Sequence, residues 1–448
     1  MASNTPASVR NLVIYEIYVR NHTPAGTFAA VEADLPRIRS MGVDVIWLMP
    51  IHPIGQLNHK GTLGCPYSIQ DYRSVNPEYG TLDDFQRLVQ RAHDLGLQVW
   101  IDVVYNHTSH DSVLVQGHPE FFHQDANGMP YTTVPEWDDI IDLTHPSPEL
   151  TRYLIDSLLL WSRLGVDGFR CDVASVVPVE FWLQARQEVA QVNPQTLWLA
   201  ESTDVVFTAR RRVEGLFAAT DSELFAAFDI LYQYDIWPVM QRAVQGKVPV
   251  ARLLDLLRYQ EAIYPLNYAK MRYVENHDNW RIMRLAPSRE QALAWTAFMA
   301  FCKGPFLIYG GQETGTAHLP SLFDIDKISW NDRPLQDFLT RLAQLKKHPA
   351  QVGGQFVIPH TEPLIQAAWQ LPDATPGLYG LFNVANHRRP VTVPLPDGDY
   401  PDLLNGGSVL VQHGQLNLST PAAILSTGVL PALKHYSSEL MDLYQPQY

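Results

Sequence analysis

Eight short runs of apolar, mostly β-branched or aromatic residues recur along the chain, and helix-like segments separate them. The runs occupy residues 13–19, 44–50, 98–104, 167–173, 196–202, 226–232, 270–276 and 305–310. Segment 81–95 is typical of the spacers, because it begins with a Thr cap and has acidic residues in its first turn. Strands that alternate with helices form a parallel sheet covered by helices. Eight such units predict an α/β fold closed as a (β/α)8 TIM barrel rather than an open doubly wound sheet.

Two regions depart from this alternation. After the third strand, residues 108–145 are rich in His, Pro, Asp and Gly and have no clean period, which predicts a short functional insertion. After about residue 349, short alternating segments punctuated by Gly, Pro and Asp predict a C-terminal antiparallel β-sandwich. The expected parts are a barrel in residues 1–107 and 146–348, an insertion domain in 108–145, a β-domain in 349–435 and a tail in 436–448.

Composition and charge exclude several functional classes. With 46% hydrophobic and 18% charged residues the chain is globular, and a net charge of −14 argues against a nucleic-acid surface. Three cysteines are too few for a disulfide framework or a zinc site, and no segment reaches the roughly 20 apolar residues of a membrane span. The N-terminus lacks the pattern of a secretory signal. We therefore expect a cytoplasmic monomer or homodimer, or a secreted protein if a leader has been removed.

Polar clusters lie at the carboxyl ends of four predicted strands, where barrel enzymes place their chemistry. They are DVVYNH at 102–107, GFRCD at 168–172, LAES at 199–202 and ENHDN at 275–279. Side chains alternate along a strand, so Arg170 and Asp172 share the face that points into the barrel. Taken alone, Arg170 and Asp172 would be interpreted as a buried ion pair with a structural role. Convergence of Glu201 and Asp278 on the same mouth favours a functional site, because crowding of like charges does not stabilise a fold.

Paired carboxylates suit the cleavage of glycosidic bonds, in which one attacks the anomeric carbon and the other protonates the leaving oxygen. Arg170 is expected to lower the pKa of Asp172, which makes Asp172 the predicted nucleophile. Glu201 follows an apolar run, and nearby carboxylates raise its pKa, so it is the predicted acid/base. Asp278, beside His277, suits the holding of sugar hydroxyls and the distortion of the ring.

These four clusters, in this order, resemble those of glycoside hydrolase family 13, the α-amylase family. Further agreement comes from YEIYVR at 15–20, PYSIQDY at 66–72 and YGGQE at 309–313. The resemblance covers almost the whole chain. It implies a retaining hydrolase that cleaves α-1,4-glucosidic bonds of starch-type glucans or malto-oligosaccharides through a covalent glycosyl-Asp intermediate, without an organic cofactor.

The resemblance also implies roles for individual residues. Asp172 would be the nucleophile, Glu201 the proton donor and Asp278 the stabiliser of the transition state, while Arg170 would orient the nucleophile. The chain departs from many α-amylases at 175–176, where Ser-Val replaces a Lys-His pair that contacts the leaving-side sugar. This departure predicts a preference for shorter malto-oligosaccharides.

Substrate and metal contacts follow from the same resemblance. His107 and His277 would hydrogen-bond hydroxyls of the sugar at the cleavage site, and Tyr67 would stack on that sugar. In calcium-dependent members the Asn of the strand-3 motif, here Asn106, binds the ion with an Asp of the insertion, for which Asp142 is the candidate. The alternative is that Asn106 only fixes its loop through hydrogen bonds.

Three other functions are weighed against this one. A 4-α-glucanotransferase or a cyclomaltodextrinase/neopullulanase-like enzyme would use the same residues and differ in acceptor or substrate. A non-catalytic member, such as an amylase-like transporter subunit, would lose the carboxylates and carry a membrane anchor, and neither applies to this sequence. A phosphate-handling barrel would need a Gly-rich anion loop, and YGGQE at 309–313 has no basic residues nearby to support one.

Overall fold

The protein is represented by a computed structural model that describes residues 4–371, 377–428 and 433. The predicted tail, 436–448, lies outside the described residues. Over the described ranges, no helix has both the length and the apolar character needed to cross a membrane.

The described strands and helices follow one another closely along the chain. The strands are β1 (Val13–Ile17), β2 (Val45–Leu48), β3 (Gln98–Val103), β4 (His107–Ser109), β5 (Ile140–Asp142), β6 (Gly168–Cys171), β7 (Leu197–Ala200), β8 (Ile230–Tyr232), β9 (Lys270–Met271), β10 (Phe306–Tyr309), β11 (Gln355–His360), β12 (Ile365–Gln370), β13 (Leu378–Phe382), β14 (Val391–Thr392), β15 (Gly398–Pro401), β16 (Ser408–Val411), β17 (Gln415–Leu416) and β18 (Ala422–Ser426). The α-helices are α1 (Val19–His22), α2 (Phe28–Ser40), α3 (Leu82–Asp94), α4 (Val113–Gly117), α5 (Pro148–Arg163), α6 (Val179–Val189), α7 (Val205–Val213), α8 (Asp221–Leu224), α9 (Trp237–Val244), α10 (Val250–Ile263), α11 (Ile282–Leu285), α12 (Arg289–Phe301), α13 (Gln336–Lys346) and α14 (Pro349–Gly353). Short 3-10 turns cover Ala7–Asn11, Pro119–Phe121, Ala174–Val176 and Gln312–Thr314.

The central sheet confirms the predicted barrel. Eight parallel strands are hydrogen-bonded in the order β10-β1-β2-β3-β6-β7-β8-β9. A parallel bridge between Arg272 and Phe306 joins the end of β9 to β10 and closes the ring. The carboxyl ends of all eight strands therefore surround one mouth.

Helix α3 shows how the sequence builds the outer layer of the barrel. Its N-cap Thr81 and Asp84 form a reciprocal capping box, which satisfies backbone donors at the start of the helix. Its buried face holds Phe85, Leu88 and Val89, at spacings of three and four residues. Packing of such faces against the sheet gives the barrel its continuous apolar core.

The insertion and the C-terminal region are both β structures. In the insertion, β4 and β5 form a small antiparallel ladder in which His107 pairs with Asp142. The C-terminal region confirms the antiparallel β-domain: β11-β12-β13-β18 form one sheet, and β14-β17 and β15-β16 form two-stranded ladders. Buried Trp369 joins this domain to the barrel, because its indole N–H donates a 2.8 Å hydrogen bond to the carbonyl of Phe301 in α12.

One predicted strand is shorter in the structure. The seventh run, 270–276, is a strand only in β9. The chain then turns, with a bridge between Asn276 and Asn279, and carries its polar side chains to the mouth. In the C-terminal domain β15 forms a four-residue ladder with β16, although Gly, Asp and Pro are residue types typical of turns.

Candidate active site

A cavity of about 250 Å³ opens at the carboxyl ends of the barrel strands. It gathers every catalytic and most of the substrate-binding residues that the sequence predicted. Its walls include Asp172, Glu201, Asp278, His107, His277 and Tyr67.

Arg170 is the centre of the polar network beneath this cavity. It is fully buried on β6, and its Nη1 donates hydrogen bonds to Asp102 Oδ1 at 2.8 Å and to Asp172 Oδ1 at 2.7 Å. Its Nη2 lies 2.8 Å from Glu201 Oε2, and its Nε donates to the hydroxyl of Tyr232 at 3.2 Å. One guanidinium therefore contacts three carboxylates, and the fully buried Asp102 serves as a structural partner of Arg170.

Asp172 follows β6 and uses only one carboxylate oxygen in its bond to Arg170. The other oxygen, Oδ2, lies 3.8 Å from Nε2 of His107 at the cavity wall. Burial raises the pKa of Asp172 to about 6, although Arg170 acts to lower it. The sequence argument for a lowered pKa is thus corrected, because desolvation of the carboxylate outweighs the attraction of the guanidinium.

Glu201 stands at the end of β7 and has one oxygen in use. The backbone N–H of Val173 donates to its Oε2 at 2.8 Å, and Arg170 contacts the same oxygen. Burial raises the pKa of Glu201 to about 7, and the charge of Asp172 adds to this effect while Arg170 opposes it. Oε1 is left as the oxygen that can carry a proton near neutral pH.

Asp278 differs from the other two carboxylates, because its side chain is 38% exposed and has a cationic neighbour. Its Oδ2 lies 3.0 Å from Nε2 of His277 and accepts a hydrogen bond from the Tyr234 hydroxyl at 3.3 Å. Burial opposes ionisation, but the pKa of Asp278 is lowered by the charge of His277. Asp278 therefore remains an anion at the mouth of the cavity.

His277 is held in its orientation from below. Its Nδ1 contacts the carboxylate of Glu16, a fully buried residue of β1, in a short hydrogen bond. Burial acts to lower the pKa of His277, but Asp278 and Glu16 raise it well above its ordinary value. The ring is therefore an imidazolium whose Nε2–H points toward Asp278 and the hydroxyl of Tyr67, 2.9 Å away.

Tyr67 and His107 both line the cavity. The Tyr67 ring stacks on His277 at 5.4 Å, and its hydroxyl donates to Asp102 at 3.1 Å. His107 is 5% exposed, and burial lowers its pKa, so a neutral imidazole faces Asp172. The ring of Trp137, from the insertion, lies 5.9 Å from His107.

The two predicted calcium ligands adjoin one another where β4 pairs with β5 in the insertion. The side-chain amide of Asn106 donates to Nδ1 of His107 at 3.1 Å, and its backbone carbonyl accepts from the backbone N–H of Leu143 at 2.8 Å. Asp142 Oδ2 accepts from the backbone and the hydroxyl of Thr133, and the buried Oδ1 has no partner among the described residues. Within the described ranges no group of three or more His, Cys, Asp or Glu side chains could hold a metal. Calcium takes six to eight oxygens, of which Asn106 and Asp142 would supply two, so their role as calcium ligands stays a prediction.

Sequence reasoning missed several residues of this site. Glu16 lies in a barrel strand far from the recognised clusters, although its place in YEIYVR on an inward face was a usable signal. Lys60 and Trp137 also line the cavity, and both come from loops without periodicity. Lys60 connects the walls, since its ammonium lies 2.8 Å from Asp139 and 3.2 Å from Asp138 of the insertion.

Comparison with protein families agrees with this geometry. The model for the α-amylase catalytic domain matches residues 14–125 and 131–348, and the model for the bacterial α-amylase C-terminal domain matches 358–425. The chain belongs to the α-amylase family. The site residues of this glycoside hydrolase family member all lie within the first match.

Individual relatives show the same family over nearly the whole chain. An α-amylase structure from Lactobacillus plantarum is 42% identical, with a TM-score of 0.90 over 94% of this chain and 99% of its own. A noncanonic maltogenic α-amylase, AmyB from Thermotoga neapolitana, is 31% identical, with a TM-score of 0.83 over 94% of this chain and 100% of its own. The α-amylase MalA of Haloarcula japonica is 30% identical over 77% of this chain. The matched region spans 50% of the length of MalA.

Proposed function

We propose that this family member hydrolyses α-1,4-glucosidic bonds of malto-oligosaccharides or starch-type glucans with retention of configuration. The observation that carries the proposal is the single guanidinium of Arg170 that contacts both Asp172 and Glu201. Retaining glycosidases need carboxyl groups about 5–5.5 Å apart, whereas inverting enzymes need about 6.5–9.5 Å. Two carboxylates that share one guanidinium suit the shorter separation.

The proposed reaction has two steps. Oδ2 of Asp172 attacks the anomeric carbon while Oε1 of Glu201 gives its proton to the leaving oxygen, so that a carbon–Asp172 bond forms as the glycosidic bond breaks. Water then gives a proton to Glu201, attacks the same carbon and releases Asp172. Asp278 and cationic His277 would bind hydroxyls of the sugar ring in both steps.

Two features support short substrates. At the positions where many α-amylases have Lys-His, Ser175 is buried and its hydroxyl accepts from the N–H of Thr203 at 3.0 Å, while Val176 is apolar. Neither residue offers the contacts of a Lys-His pair to a bound glucan. The second feature is the ion pair between Lys60 and Asp139, two residues that line the cavity. The similarity to a maltogenic α-amylase agrees with a preference for short malto-oligosaccharides.

The test combines two variants with a product analysis. We expect Asp172→Ala and Glu201→Gln each to lose more than tenfold in hydrolysis of maltotriose, while Asp167→Asn, at the opposite end of the barrel, serves as a control for folding. NMR of the first product should show the α-anomer. Retained hydrolysis in either variant would overturn the assignment, and products longer than maltotriose would favour the glucanotransferase alternative.

A further inference from the structure

A buried carboxylate lies where the insertion meets the barrel. Asp142, at the end of β5, is 2% exposed. Its Oδ2 accepts hydrogen bonds from the backbone N–H of Thr133 at 2.8 Å and from the Thr133 hydroxyl at 2.5 Å. Burial of a carboxylate this deep costs free energy unless positive charge and hydrogen-bond donors lie nearby.

That charge comes from a different part of the chain. Arg211 lies on α7, the helix that follows the Glu201 strand, and is 8% exposed. Its Nη1 donates to the Thr133 hydroxyl at 3.0 Å, and its Nε donates to the carbonyl of Phe217 at 3.2 Å. Its guanidinium is thus one hydroxyl away from the Asp142 carboxylate.

The surroundings of Arg211 favour a permanent cation rather than an exchangeable ion. The guanidinium lies 5.8 Å from the centroid of the Phe207 ring, within the range of a cation–π contact. An arginine stays protonated at every relevant pH and carries its donors in a fixed fork. A divalent ion placed at Asp142 would meet this charge across a single hydroxyl and would be repelled by it.

We propose that Arg211 supplies the positive charge that the Asp142 junction needs, so that the insertion is tied to the barrel without calcium. The link joins the insertion, whose Trp137 lines the cavity, to α7, the helix that follows Glu201 along the chain. The proposal does not depend on the proposed reaction, because its readouts are stability and metal binding.

The test uses the whole protein with and without calcium. For the wild type, we expect the same Tm after dialysis against a chelator and after addition of excess calcium chloride, and no calcium-binding heat in calorimetry. Arg211→Met should lower the Tm by several degrees. Arg210→Met is the matched control, since Arg210 is the preceding residue on α7 but is 55% exposed and pairs with Glu214 on the surface of the helix.

Two results would overturn the proposal. One is a wild-type Tm that falls in chelator and recovers with calcium. The other is an Arg211→Met protein whose Tm equals that of the Arg210→Met control. If Arg211→Met fails to fold, Thr133→Val removes only the connecting hydroxyl and should still lower the Tm without creating sensitivity to chelator. The calcium measurements on the wild type decide the question independently of either variant.

Discussion

Replacement of Arg170 by Met tests whether one guanidinium sets the ionisation of the catalytic pair. The side chain keeps a similar length but loses the contacts at 2.7 Å and 2.8 Å to Asp172 and Glu201. An opposite charge at such distances lowers a carboxyl pKa, so its loss should raise the pKa of Asp172 above its present value of about 6. For the typical effect of about 1–3 pKa units, the ionised fraction at pH 6 falls from about one half by roughly five- to five-hundred-fold, and kcat/KM falls with it.

The assay measures kcat/KM for maltotriose between pH 5 and 9, a range chosen to bracket the pKa values of both carboxyl groups. In the wild type the acidic limb should fall near pH 6, where Asp172 must ionise, and the basic limb near pH 7, where Glu201 must stay protonated. Because Arg170 lowers the pKa of both groups, the variant should move both limbs to higher pH. These limbs report the coupled pair rather than either residue alone.

A structural control separates ionisation from folding. Arg186→Met breaks another largely buried ion pair, with Asp229 at 2.7 Å, on the opposite side of the barrel from the cavity. Both variants should lose stability, by about 3–5 kcal/mol for a broken buried pair. Only Arg170→Met should shift the pH profile. A rate loss of equal size at every pH, with both limbs unmoved, would refute the reasoning.

Three further predictions concern residues around the same cavity and the C-terminal domain. Glu16→Gln removes the buried anion beneath His277, so the pKa of that ring should fall and the loss of kcat/KM should grow as pH rises; an equal loss at pH 6 and pH 8 would contradict this role. Lys60→Ala should shift the products of a long malto-oligosaccharide toward greater length, measured by chromatography, because the link between the cavity walls is lost; an unchanged product ladder would argue against it. Trp369→Ala should cost about 3–5 kcal/mol in denaturant unfolding while the kcat of the folded protein stays unchanged.

The sequence allowed the barrel to be predicted because its signal is local. Each strand is a short apolar run, and the period of two on β6 predicts that Arg170 and Asp172 share one inward face. The same kind of pattern predicts the C-terminal domain. The strand β15 is less evident from the sequence, because its Gly, Asp and Pro residues are typical of turns and its pairing depends on the partner strand.

The rest of the site depends on contacts between distant segments. The bond from Arg211 to Thr133 spans 78 residues, and that from His277 to Glu16 spans 261, so no pattern in either segment indicates the other. The direction of the pKa shift of Asp172 was wrong for a related reason. Strand spacing shows which charge is adjacent, but the penalty of burial is set by the whole surrounding fold.

The packing of Trp369 on α12 affects how the chain can be shortened. The apolar core that surrounds the barrel continues into the C-terminal sheet through Trp369, Leu378 and Phe382. The ring of Phe382 lies 5.4 Å from those of both Phe298 and Phe301. A catalytic fragment cut before β11 would present this aromatic surface to water and would be prone to aggregate. Engineered minimal versions should therefore retain the β-domain or replace α12's outward aromatic side chains with polar ones.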